Sequence, residues 1–313
     1  MEQLFDTSLS VLHELNDSIL RAHRVRLFVK RDDLIDDAVS GNKWRKLKFN
    51  ILQCQQYKNE GILTFGGAFS NHLVATASAC RKAGLTSVGV VRGDELKPNS
   101  NATLAKCGEL GMQLYFVSRE EYHLRAERYY HEELLKEFPN LHIVPEGGAN
   151  YWGMIGCQEI VREIDLEFDR IVMAQGTTAT SCGVILGLES EQRLTAVPAL
   201  KGFDSKSEME RLFGKSGIDA ETTEQLLAQA QILDQYHFGG YAKYNDELLN
   251  FMREFYRAHQ MKLDPVYTGK ALYGFFEEVK KGCYDGETIV FLHTGGLQGV
   301  VGIEERVGER LFK

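Results

Sequence analysis

Residues 62–84 read ILTFGGAFSNHLVATASACRKAG. Ile62 to Phe65 form a short run of β-formers, too brief to be a helix of its own. Gly66 and Gly67 supply a turn, and Ser70, Asn71 and His72 open an alanine-rich stretch that reads as a helix through 72–83. The same unit of strand, glycine turn and longer amphipathic stretch recurs along the chain. SVGVV (87–91) precedes 101–110, QLYFV (113–117) precedes 119–137, and RIVMA (170–174) precedes 178–188. TAVPAL (195–200) precedes 205–213, and TIVFL (288–292) precedes 297–312. Apolar runs of this length read as strands covered by helices on both faces, so the alternation predicts an α/β fold with parallel sheets.

The alternations are too many for one comfortable sheet, which argues for two layered α/β bodies. Residues 50–150 carry three or four of the units and form the smaller body. Residues 1–49 and 151–313 form a larger, discontinuous one, with RLFVK (26–30) joining the C-terminal half. Of the 313 residues, 43% are apolar and 26% charged, which excludes wholesale disorder, collagen and coiled coil. Forty-four acids against 36 bases give a net charge of −8, and no positive field is concentrated enough to ask for nucleic acid or an anionic membrane. The best apolar run, GVILGL (183–188), is far too short to span a bilayer. The opening MEQLFDTSLSVLHEL has neither the basic nor the apolar region of an export signal, so a cytoplasmic protein is expected. Cys54, Cys80, Cys107, Cys157, Cys182 and Cys283 are scattered without a CxxC pair and are expected to be reduced and buried.

Five stretches can carry chemistry. In SGNKWRKLKFN (40–50), Ser40 or Gly41 is a helix N-cap and Lys43 falls in the first turn, crowded by Arg45 and Lys46. Positive charge at the positive end of a helix dipole lowers a lysine pKa, and a neutral amine attacks carbonyls. A solvated basic face is the plain alternative. At Ser70–His72 a helix start leaves backbone N–H groups free beside three polar side chains, which suits a carboxylate or phosphate, or is an ordinary cap. In AQGTTATSCG (174–183), Gly176, Thr177, Thr178, Ala179 and Thr180 offer amides and hydroxyls without bulk, as a dianionic phosphate needs and as a generic turn also can. Neither GK[ST] nor G-x-G-x-x-G is present. DPVYTGKALYG (264–274) puts Tyr267 just before a helix, either at a site or in the core. FLHTGG (291–296) puts Thr294 past the last strand, where ligands gather in open α/β sheets. The nine histidines, His293 among them, show no metal spacing, and no metal is expected.

Taken in order, VKRDDL…SGNKWRKLKF, FGGAFSNHLVATA, QGTTATSCG, LDPVYTGKALYG and FLHTGG resemble the 1-aminocyclopropane-1-carboxylate deaminase / D-cysteine desulfhydrase family. That family belongs to the fold type II pyridoxal-phosphate enzymes related to the tryptophan synthase β chain. The resemblance spans essentially the whole chain. It implies two three-layer α/β domains with pyridoxal 5'-phosphate in the cleft, a small amino-acid substrate and a homodimer. Lys43 would carry the cofactor covalently, a choice over Lys46 that physics alone does not make. Asn71 would bond the cofactor's phenolic oxygen, and Ser70, Asn71 and His72 would hold the substrate carboxylate. Residues Gly176 to Thr180 would grip the phosphate. Tyr267 would stack on the pyridine ring, and Tyr241 would be the second active-site tyrosine. Ser70 joins Lys43, Tyr241 and Tyr267 as a catalytic residue. Deaminases of the family carry a glutamate after the tyrosine of DPVY and a leucine before the last glycine pair. Here those places are Thr268 and Thr294, as in the desulfhydrase branch, and either threonine would contact the pyridine nitrogen.

The resemblance implies a lyase that eliminates from D-cysteine or a related D-amino acid, giving pyruvate, ammonia and sulfide. The alternative within the family is deamination of the cyclopropane amino acid to 2-oxobutyrate and ammonia. Outside it stand a nucleotide-binding oxidoreductase, which the missing G-x-G-x-x-G argues against, and a non-catalytic anion- or nucleotide-binding α/β protein.

Overall fold

The computed structural model describes residues 5–36, 39 and 41–313. In chain order the strands are β1 (Leu12–Leu15), β2 (Arg26–Lys30), β3 (Gly61–Gly67), β4 (Thr86–Arg92) and β5 (Gln113–Val117). They continue with β6 (Leu141–Val144), β7 (Arg170–Gln175), β8 (Arg193–Pro198), β9 (Ala230–Ile232) and β10 (Thr288–Leu292). Two sheets result, in the orders β1-β2-β10-β7-β8-β9 and β5-β4-β3-β6. Every pairing is parallel except β1 with β2. β2 lies beside β10, with Lys30 opposite Leu292, so the early strand joins the late ones as its sequence suggested.

Both faces of the larger sheet are covered. Val172 and Phe291 pack into one apolar cluster with Leu272 and Phe275, while their neighbours Ile171, Met173 and Val290 pack into another with Cys157 and Ile185. Such alternate burial of consecutive residues explains why these strands read as unbroken apolar runs. The strands that sequence reading passed over, β1, β6 and β9, are all sheet edges of three or four residues. An edge strand is paired on one side only, and β1 (LHEL) and β9 (AQI) are correspondingly polar.

Other expectations need adjusting. The strand expected at 195–200 ends at Pro198. The helix expected at 119–137 is split into Arg119–His123, a 3-10 turn at Leu124–Ala126, and Arg128–Glu137. At the break, the Arg125 carbonyl pairs with the His131 ring and its guanidinium reaches Glu146 at 2.8 Å, so local contacts replace the helical ladder. All six cysteines are free and five are buried, but Cys283 is exposed in the turn after the helix Thr268–Lys280. No described helix is long and apolar enough to cross a membrane.

The helix Asn42–Gln56, which carries Lys43, is pinned from below. Arg45, with no solvent exposure, bonds both oxygens of buried Asp32 at 2.8 and 3.1 Å and pairs with Glu163. Glu163 also receives Lys30 at 3.0 Å, and Ser10 donates to Asp32 at 2.5 Å. Arg45 is therefore neutralised in place and does not belong to the cationic crowd that the sequence suggested. Ser40, one of the two expected caps, lies outside the described residues, and Gly41 holds the cap position without a side chain.

Candidate active site

A cavity of about 940 Å³ opens beyond the carboxyl ends of β3, β7 and β10, where parallel sheets present ligand sites. Lys43 lines it, half-buried, with its Nζ donating to Asn42 Oδ1 at 3.1 Å. Burial, reinforced by the neighbouring charge of Lys46, pulls the Lys43 pKa down to about 7. An amine with that pKa is about half neutral at physiological pH and is therefore a nucleophile and a base. The sequence had attributed this to a helix start crowded with cations, whereas desolvation is the larger cause.

Lys46, about one turn further along the same helix, is fully buried. Its Nζ donates to Gly147 O and to Thr177 Oγ1, both at 3.1 Å, and burial lowers its pKa. Thr177 belongs to the loop after β7, whose next residues begin the helix Ala179–Gly187. Asn42 reaches the same loop, donating to Thr180 Oγ1 at 2.9 Å. A helix start with unbonded N–H groups, threonine hydroxyls and a buried ammonium together form a cradle for a dianion. Gly176, Thr177, Thr178 and Thr180 line the cavity, whereas the Ala179 side chain is fully buried away from it.

Tyr267 stands against this loop: a Cβ on Gly176 would come within 3.0 Å of its ring. Tyr241 sits half-exposed at the mouth with its ring centroid 6.2 Å from that of Tyr267 and the planes at 68°. Burial raises both phenol pKa values. The Tyr241 phenol adds to the rise on Tyr267, and the Tyr267 hydroxyl offsets part of the rise on Tyr241.

At the end of β3, Ser70 caps the helix Asn71–Ala83 by accepting the Leu73 N–H at 3.4 Å. Asn71 lines the cavity, and the amides of Asn71 and His72 begin the helix, so an anion can dock there. The His72 ring is committed elsewhere. It is 3% exposed, and its Nε2 lies 2.9 Å from Thr64 Oγ1, which itself donates to Val144 O. Because that hydroxyl proton is taken, Nε2 must be the donor to Thr64. Burial and the two lysines hold the His72 pKa well below its usual value, so the ring is neutral.

The two threonines separate. Thr294 lines the cavity. Thr268 does not: it is fully buried, donates to Asp264 Oδ2 at 2.8 Å, and accepts the Asp264 N–H at 2.9 Å. Asp264 also takes the N–H groups of Val266, Tyr267 and Thr268, so this pair builds the turn that sets Tyr267 in place. The sequence pattern offered Thr268 as a contact to the cofactor, and the structure makes it a support for the turn. Among residues that sequence reasoning missed, Lys46 as a cradle cation, Asn42 and Gly147 matter most. The glycine pair in PEGGAN (145–150), directly after LHIV, was the available signal.

Pyridoxal 5'-phosphate needs a largely neutral amine for its aldehyde, a dianion cradle for its phosphate and a flat wall for its ring. Lys43, the Lys46–Thr177 corner and Tyr267 meet those three requirements in one cavity, so the residues present fit the group.

Residues 6–295 match the family described as pyridoxal-phosphate dependent enzyme. A Pyrococcus abyssi protein provisionally named a 1-aminocyclopropane-1-carboxylate deaminase is 32% identical over 305 residues, covering 94% of this chain and 91% of its own. The Arabidopsis thaliana bifunctional D-cysteine desulfhydrase/1-aminocyclopropane-1-carboxylate deaminase, a mitochondrial protein, is 32% identical over 310 residues, covering 88% of this chain and 73% of its own. Among solved structures, an ACC deaminase homologue superposes with a TM-score of 0.79 at 28% identity, over 95% of this chain and 92% of that one. The chain belongs to the pyridoxal-phosphate dependent enzymes, within the 1-aminocyclopropane-1-carboxylate deaminase / D-cysteine desulfhydrase family, and is a lyase with pyridoxal 5'-phosphate as its cofactor.

Proposed function

We propose that this lyase eliminates the β-substituent of D-cysteine or a related D-amino acid, releasing pyruvate, ammonia and, from cysteine, sulfide. When bound, the cofactor supplies the sink for the electron pair left at the substrate Cα. Lys43, with its pKa near 7, takes the Cα proton, while the Asn71 and His72 amides and the Ser70 hydroxyl hold the carboxylate. The phosphate would lie on residues 176–180 beside Lys46, and the ring against Tyr267. Tyr241, at the mouth, is placed to pass a proton to the departing group.

One observation carries the choice of substrate: the residue that lines the cavity beyond β10 is a threonine, Thr294, and not a carboxylate. The carboxylate behind it, Asp264, is buried and already saturated by three N–H groups and a hydroxyl. A threonine at the pyridine nitrogen donates or accepts one neutral hydrogen bond and cannot hold the ring protonated as a carboxylate would. The resulting weaker sink suffices when thiolate leaves from Cβ and is poor for opening a cyclopropane. Incubating holoenzyme with D-cysteine, β-chloro-D-alanine and the cyclopropane amino acid, and measuring pyruvate and 2-oxobutyrate, tests the reading. Pyruvate from the first two is expected. Faster 2-oxobutyrate from the third would move the assignment to the deaminase named among the relatives.

The same reading takes the enzyme as a cytoplasmic homodimer, which sedimentation and fractionation measure. It also takes residues 1–49 with 151–313 as the larger body and 50–150 as the smaller. The sorting of strands 61–144 into one sheet supports that division.

A further inference from the structure

Lys270 lies in the DPVYTGK segment, is 1% exposed, and touches neither the cradle nor the cavity wall. Its ammonium donates to two backbone carbonyls, His237 O at 2.8 Å and Gly240 O at 2.7 Å. Those carbonyls also close successive turns: His237 O accepts the Gly240 N–H at 3.0 Å, and Gly240 O accepts the Lys243 N–H at 3.1 Å. The ammonium thus sits at the junction of two turns, using the second lone pair of each carbonyl. Tyr241 directly follows that junction, as the first residue inside the second turn.

The loop needs such a clamp. Within five residues the backbone has positive φ four times, at Phe238 (52°), Gly239 (95°), Gly240 (120°) and Ala242 (53°). Phe238 and Ala242 carry side chains that disfavour this region, so the conformation persists only if something outside the loop imposes it. Tyr241 itself is half-exposed and meets Tyr267 only edge-on, while Phe238 packs against Tyr273 of the helix Thr268–Lys280. Lys270 projects from the helix Thr268–Lys280, whose preceding residue is Tyr267. One helix start therefore fixes Tyr267 through Asp264 and Tyr241 through Lys270, which sets the spacing of the two phenols. Burial lowers the Lys270 pKa to about 8 against the opposing effect of Asp264, so the three-donor ammonium prevails at neutral pH.

We propose that Lys270 is a positioning residue that acts through Tyr241, holding the 237–243 turn so that the tyrosine pair meets the substrate in one geometry. The proposal rests on the reading that Tyr241 serves the elimination.

The experiment compares holoenzyme variants by turnover, cofactor affinity and amide hydrogen exchange. Lys270→Met removes the donors while keeping an unbranched chain, and Lys270→Arg retains a cation with N–H donors. Lys270→Met is expected to lower kcat on β-chloro-D-alanine at least tenfold, to change cofactor affinity less than threefold, and to speed exchange in residues 237–244 at least tenfold over the rest of the chain. Lys270→Arg should recover part of each loss. In the Tyr241→Phe background, Lys270→Met should cost less than threefold further, because both changes remove the same function. Full additivity of the two losses, or unchanged exchange in 237–244, would overturn the proposal. If Lys270→Met does not fold, Lys270→Gln is read by the same criteria. If wild-type holoenzyme turns over no D-amino acid, the elimination reading falls, while exchange in 237–244 still reports whether Lys270 clamps the turn.

Discussion

The carbonyl oxygen of Thr294 stands 1.8 Å from the point that a Cβ on Gly41 would occupy, and it accepts the Asn42 N–H at 3.3 Å. The turn after the last strand is thereby pressed against the start of the helix that carries Lys43. Gly41 also has φ +62°, where L side chains are strained. Gly41→Ala is expected to push these two segments apart and to lower apoprotein stability by roughly 1–3 kcal/mol from backbone strain alone. Cofactor affinity should fall with it. Thermal unfolding and a cofactor titration check both. Wild-type affinity in a folded Gly41→Ala protein would show that the contact does not shape the site.

Lys43 and Lys46 share one low-dielectric wall, and the charge on Lys46 disfavours one on Lys43. Lys43 is protonated below a pH of about 7 and is free base above it, so covalent capture of the cofactor, trapped with borohydride, should rise through pH 7. Removing the Lys46 charge relieves one of the two forces that depress Lys43. Lys46→Met should therefore move the profile to higher pH, while weakening cofactor binding about 10- to 100-fold through loss of a charged hydrogen bond. Lys43→Ala should abolish trapping and the cofactor's visible band. Peptide mapping that places the label on Lys46 or Lys270 would reverse the assignment of Lys43.

The legible parts of this protein are those in which one local segment carries the whole signal. The central strands are buried on both faces, so ILTF or TIVFL announces itself without reference to a partner. Gly176 to Thr180 show their composition in five consecutive residues. What escaped reading depends on residues far apart in sequence. Lys46 joins the phosphate-sized corner of the cavity because it meets Gly147 and Thr177, 101 and 131 positions away. Thr268 looked like a ligand contact because motif spacing cannot show that its hydroxyl is already paired with Asp264. His72 was legible as a helix opener, but the inward turn of its ring is set by Thr64, which lies within β3 on the other side of the turn.

Arg45 is the strongest candidate for a purely structural charge. It is fully buried with Asp32, and both oxygens of Glu163 engage its guanidinium. Opposing charges raise its pKa further against the cost of burial, so it stays ionised. Arg45→Met would leave two carboxylates short of their partner in a low-dielectric setting, which costs about 3–5 kcal/mol. Urea unfolding of apoprotein should show that loss, and a change below 1 kcal/mol would mean that Lys30 and Ser10 compensate. Asp32→Asn combined with Arg45→Met should lose less than the sum of the single changes.

The loop at 176–180 can be tested by charge. Thr180 has its hydroxyl 2.9 Å from the Asn42 amide, and Thr178 is buried beside the Glu208 carbonyl at 3.4 Å. An acid at either place adds volume and like charge against a dianion. Thr180→Asp and Thr178→Asp should raise the cofactor dissociation constant at least tenfold, with turnover per bound cofactor less affected. Purification of either variant at full occupancy would mean that the phosphate lies elsewhere.

The two threonines give opposite expectations. The Thr268 hydroxyl exchanges two hydrogen bonds with Asp264 and the residue lies outside the cavity, so Thr268→Val should act on stability. It leaves a buried carboxylate without one donor and a buried N–H without an acceptor, a loss of about 1–3 kcal/mol in urea unfolding. Turnover of the cofactor-loaded protein should change far less. Thr294 lines the cavity, and Thr294→Val is nearly isosteric, so the fold should survive while the hydroxyl disappears. Elimination from β-chloro-D-alanine should then slow roughly tenfold, about 1.4 kcal/mol in the barrier, with the cofactor's visible band displaced. If Thr268→Val instead abolished turnover at full occupancy and Thr294→Val left it intact, the roles of the two residues would have to be exchanged.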